Sequence, residues 1–122
     1  MEDMSREDRE TAVELGKLLA EHRCADVVVL DLRRLDAWTD FFVIATVSGG
    51  AHLSGLERHI GDFSRERGLE ILRHSRRSRE EDNEWRLIDM GSLVVHLMSR
   101  RARSFYELER LWSAGDTLFS EA

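Results

Sequence analysis

Leu15, Leu18 and Leu19 recur at helical spacing, with Ala12 one turn before and His22 one turn after. This pattern predicts a first amphipathic helix from about Ser5 to His22. The β-branched run "DVVVLDL" then reads as a strand, and "LRRLDAWTD" links it to "FFVIATV". Phe41 to Val47 is apolar on both alternating faces, which predicts a central strand covered from two sides. "SGGAH" is a turn with Ser48 as the expected helix N-cap. Leu53, Leu56, Ile60 and Phe63 mark one stripe of a second helix, and Gly68 supplies its stop.

"LEILRH" alternates and is expected as a strand, which makes the preceding helix a crossover between parallel strands. Residues 76–83 are polar and form a loop. "EWRLIDM" and "SLVVHLM", separated near Gly91, predict two antiparallel strands joined by a tight turn. Ala102, Phe105, Leu108, Leu111 and Trp112 give a last helix, after which "SAGDTLFSEA" is expected to fray. The order α-β-β-α-β-β-β-α yields an α/β domain, a mixed five-stranded sheet flanked by helices. One domain over residues 1–113, with a short tail at 114–122, follows.

Charge narrows the partners. The net charge is −6 over 122 residues, which argues against general affinity for phosphate backbones and suits a basic protein partner. "RHSRRSR", Arg73 to Arg79, is a local basic patch, but Glu80, Glu81 and Asp82 follow it directly. A solvated, self-neutralising loop is the plainer reading, with an RNA contact as the alternative. No apolar run approaches the roughly 20 residues that span a bilayer. Cys24 is the single cysteine, so no internal disulfide and no cysteine metal cluster is expected. The acidic start without an apolar stretch points to a cytoplasmic address.

Several residues invite chemistry. Asp89 and His96 flank the Gly91 turn and could lie near each other on an antiparallel pair. An acid/base role would need a nucleophile or water aimed at substrate, and Ser92 lacks the glycines of a nucleophile elbow. His96 in an apolar strand is read as a buried histidine satisfied by a neighbour. The five histidines show no metal-binding spacing; His52 and His59 sit about 10 Å apart along a helix. No metal and no cofactor is expected. "TVSGGAH" is an anion-friendly corner, since a strand, a Gly-rich turn and a helix start meet there, but it matches neither phosphate-loop motif. Alternation puts Trp85, Leu87 and Asp89 on one strand face and Arg86, Ile88 and Met90 on the other. Trp85 reads equally as a core residue and as a docking residue.

Three stretches carry a resemblance: "TDFFVIAT" (Thr39 to Thr46, followed by His52), "WRLIDMGSLVVH" (Trp85 to His96) and "FYELERLW" (Phe105 to Trp112). In this order and spacing they resemble the ribosomal silencing factor (Iojap-related) family, from about Glu10 to Trp112. The chain departs from the family pattern at Val47, where Gly is usual, at Ser92, where Asp is usual, and in the charged loop from Ser75 to Asn83. The resemblance implies a nucleotidyltransferase-like fold without that activity, and a binding protein rather than an enzyme. It implies a translational repressor that docks on the large ribosomal subunit through ribosomal protein uL14 and blocks the small subunit sterically. Homodimers occur in the family.

The expected docking residues are Trp85, Leu87, Asp89, Met90 and Ser92, extended by Tyr106, Glu109 and Trp112. Thr39 and Asp40 are expected to cap the start of the central strand. Alternatives are an RNA-binding or ribosome-assembly factor acting through Arg73 to Arg79, and a degenerate nucleotidyltransferase using Asp36, Asp40 and Asp89.

Overall fold

Strand formation follows the β-branched runs closely. The computed structural model describes residues 2–35, 37, 39–74, 84–111 and 113–122, with side chains from Glu7 onward. Its elements are α1 (Glu2–Glu21), β1 (Ala25–Asp31), a 3-10 turn (Arg33–Leu35), β2 (Phe41–Val47), α2 (Gly50–Glu66), β3 (Arg73–His74), β4 (Trp85–Asp89), β5 (Leu93–Ser99), α3 (Arg100–Tyr106), α4 (Leu108–Leu111) and β6 (Asp116–Glu121). The strands form one mixed sheet in the order β3-β4-β5-β2-β1-β6. The pair β2/β5 is parallel, and the other neighbours are antiparallel.

Every residue of β2 is buried, as its unbroken apolar run predicts. The strand lies between β1 and β5, with packed side chains above and below. On one face α1 and α2 press Ala12, Leu15, Leu19, Leu53, Leu56 and Ile60 onto Val29, Phe41, Val43 and Val95. On the other, Leu30, Phe42, Ile44, Val94 and Met98 are covered by Leu32, Ala102 and Leu108, from short segments. The first cover is two long helices; the second is the 3-10 turn and less than four turns of helix.

Helix α2 ends as its sequence predicts. Gly68 takes φ 67°, and its N–H donates to the Arg65 carbonyl while Leu69 N–H donates to Ser64. This is the paired closure that a left-handed residue after a helix permits. The start differs: the N-cap is Gly49 rather than Ser48. His52 explains the shift, because its Nδ1 accepts the Ser48 N–H at 3.0 Å and its ring then donates from Nε2 to the His22 carbonyl at 2.7 Å. One imidazole thus ties the β2–α2 turn to the end of α1.

Three other expectations change. The strand expected over 69–74 shrinks to Arg73–His74 at the sheet edge. It runs parallel in direction to β2 but three positions away, because β4 and β5 insert between them. The sheet has six strands, not five: residues expected as a frayed tail form β6 along β1, with Val29 opposite Phe119. Leu118 and Phe119 pack on the α1 side of the core, a gain that local sequence does not announce. Finally, the last helix is two pieces. Glu107 adopts φ 44° and closes α3, so Ala102 and Leu108 stay buried while Phe105 and Leu111 turn outward.

Candidate docking surface

Pairing of β4 with β5 decides what the polar residues in this greasy hairpin do. The register sets Leu87 opposite His96 and Asp89 opposite Val94, so Asp89 and His96 are not partners. Asp89 is buried and turns its Oδ1 back to accept the Gly91 N–H at 2.8 Å. Short acidic side chains make such turns readily, and Gly91 supplies the positive φ of 89°. The carboxylate forms the turn.

His96 meets Trp85 instead. The indole Nε1–H donates to His96 Nδ1 at 3.1 Å. An indole can only donate, so Nδ1 carries a lone pair and the neutral ring holds its proton on Nε2. His96 is 3% exposed, and burial pushes its pKa down from the usual 6.5 to about 4. The expectation of a buried histidine satisfied by a neighbour holds at Nδ1 alone, where the neighbour is the tryptophan proposed for docking; the buried Nε2 has no hydrogen-bond partner among the described residues. Phe42 adds an edge-on ring contact at 4.5 Å.

Trp85 is half-buried. Its other flank faces Tyr106, with ring centroids 4.6 Å apart, and Tyr106 in turn meets Phe105 at 5.0 Å. Phe105 is 79% exposed, Leu111 71% and Tyr106 46%. An aromatic row therefore climbs from the sheet to the surface: His96, Trp85, Tyr106, Phe105. Leu87 shares the sheet face of Trp85 and is also half-buried.

Met90 does not join this row. It is 7% exposed and packs in the α1/α2 core, on the opposite sheet face, because strand side chains alternate. Ser92 is half-buried, and its carbonyl accepts the N–H groups of Asp40 and Phe41. That backbone clamp, with the Thr39 hydroxyl donating to the Gly91 carbonyl at 3.0 Å, starts β2 from the β4–β5 turn. Thr39 through its hydroxyl and Asp40 through its backbone N–H therefore anchor the start of the strand, to a turn distant in sequence.

Glu109 faces Arg103 at 3.3 Å. Arg103 is buried, and its guanidinium also donates to Thr46 Oγ1 at 3.1 Å. Glu109 thus holds α4 onto the sheet. Trp112 and Asp36 lie outside the described residues, as do residues 75–79 of the basic patch. Sequence reading missed Phe105 and Leu111 as surface groups. Both sit at helical spacing with buried Ala102 and Leu108, and the left-handed Glu107 that separates them has no sequence mark.

Among the described residues, no group of three His, Cys, Asp or Glu could hold a metal ion. No described helix is long and apolar enough to cross a membrane.

A family model described as ribosomal silencing factor during starvation matches residues 5–121. The chain is 40% identical over 98 residues to ribosomal silencing factor RsfS of Treponema pallidum, covering 80% of this chain and 86% of that protein. It is 32% identical over 101 residues to the chloroplastic protein Iojap of Zea mays, covering 83% of this chain and 42% of that one. A crystal structure of a Chromobacterium violaceum protein superposes with a TM-score of 0.71 at 26% identity, over 88% of this chain and 85% of that one. The match runs from the first helix through β6, the strand that completes the sheet; the chain belongs to the ribosomal silencing factor family.

Proposed function

We propose that this protein represses translation by docking on the large ribosomal subunit, through ribosomal protein uL14, and occupying space that the small subunit needs. The observation that carries the reading is the aromatic row from Trp85 through Tyr106 to the exposed Phe105. Aromatic side chains combine large area with few rotatable bonds, so they dominate interface energetics. The row lies on the sheet face with the thinner cover, where short α3 and α4 leave apolar side chains outside. A net charge of −6 favours encounter with a basic ribosomal protein. Occlusion of this kind makes and breaks no bonds.

Phe105→Glu is the decisive variant, because so exposed a ring contributes little to folding. It should leave the melting temperature in place and weaken co-sedimentation with purified large subunits about tenfold or more. In a subunit-joining assay followed by light scattering, the wild-type chain should suppress joining at saturation and the variant should not. Free joining in the presence of saturating wild-type protein would refute the proposal.

A further inference from the structure

The parallel strands β2 and β5 end side by side, and at their carboxyl ends the chain leaves an open cleft of about 580 Å³. Crevices at the carboxyl ends of parallel strands are habitual ligand sites. Arg23, Arg100 and Arg101 line this one, with Gly49 and Gly50 at the start of α2 and Glu84 just before β4.

The arginines are what set it apart. Seven described arginines elsewhere are neutralised: Arg33 with Asp31, Arg34 with Asp116, Arg65 with Asp62, Arg67 with Glu14, Arg86 with Glu57, Arg103 with Glu109 and Arg110 with Glu107, while Arg9 and Arg58, outside the cleft, are not paired among the described residues. Among the described residues, Arg23, Arg100 and Arg101 form no ion pair. Three arginines against one glutamate leave the cleft at +2, in a chain whose net charge is −6. Among the described residues Glu84 forms no ion pair with them; its Oε2 accepts the Ser99 hydroxyl at 2.7 Å.

The backbone adds to this field. No side chain caps α2 at Gly49, so the N–H groups that begin a 17-residue helix carry its positive end uncovered. A Cβ built on Gly49 would meet nothing within 4 Å, so a ligand can approach the backbone there. Guanidiniums clamp phosphate oxygens in bidentate fashion. The cleft volume falls in the range of small-molecule sites. Tracking an RNA backbone would instead need an extended basic surface.

We propose that this cleft binds a small phosphorylated ligand of the nucleoside di- or triphosphate class, recognised through its phosphates. The proposal is independent of the aromatic docking surface.

Calorimetric titration of the full chain with pyrophosphate and with ATP tests it. Wild type should bind both, and the double variant Arg100→Gln/Arg101→Gln should bind about tenfold or more weakly with an unchanged melt. Gly49→Asp offers a second, opposite-signed control: an N-cap carboxylate should raise the melting temperature while its charge evicts the ligand. Absence of heat from both probes at millimolar concentration overturns the proposal, as does binding that neither variant alters. Binding of a single-stranded oligoribonucleotide that pyrophosphate fails to displace also overturns it, in favour of an RNA contact.

Discussion

Protonating His96 should destabilise this protein from beneath its aromatic row. The ring is 3% exposed, and its Nδ1 lone pair receives the Trp85 N–H, so a second proton has nowhere to go without breaking that bond. Burial holds the folded-state pKa at about 4, against 6.5 when the chain is unfolded. Between these values the unfolded state binds more protons, so stability rises with pH across the window and falls as pH drops through it. The full effect below pH 4 is about 3 kcal/mol, and about 2 kcal/mol is already lost between pH 7 and pH 5.

Asp31 does not confound the window. Its pKa is lowered by the hydrogen bond from Arg33, so its contribution is lost only as pH falls below the ordinary carboxylate value and through the lowered one. Urea unfolding at a series of pH values, followed by tryptophan fluorescence, gives the slope. His96→Leu should cost about 1–2 kcal/mol at pH 7, because the Trp85 N–H loses its acceptor. It should also remove most of the pH dependence between 6.5 and 4. A wild-type curve that stays flat from pH 7 to 5, or a His96→Leu curve with the wild-type slope, refutes the reasoning.

Gly16→Ala should destabilise by about 1–3 kcal/mol although alanine is the better helix former, because the new Cβ would stand 2.5 Å from Cγ2 of buried, stiff Val29. Thermal melts of Gly16→Ala with and without Val29→Ala check it, and the double variant should recover part of the loss. Glu109→Ala should cost about 1–3 kcal/mol in urea titration, since it takes away the acidic partner of buried Arg103. Phe119→Ala should cost about 1–2 kcal/mol and speed hydrogen exchange along β1, the strand that β6 covers.

Much of the architecture was written in local pattern. The unbroken apolar run Phe41–Val47 predicts a strand covered on both faces, and Gly68 marks the end of α2, because periodicity and left-handed backbone are properties of a few consecutive residues. The family, too, was legible in three short stretches. Pairing and burial at a distance were not. Asp89 and His96 sit symmetrically about a turn in the sequence, yet register gives one to Gly91 and the other to Trp85. Met90 and Phe105 are comparable apolar residues, one in the core and one at the surface. Strand alternation settles the first, and a left-handed Glu107 settles the second. The tail reads as polar and short, but β1 offers it an open edge, and a strand exists only where an edge receives it. The sequence by itself determined most of the helical and extended segments, but not β6, the length of β3 or the break at Glu107; the tertiary structure decided those and which side chains face inward, because both depend on what lies across the sheet.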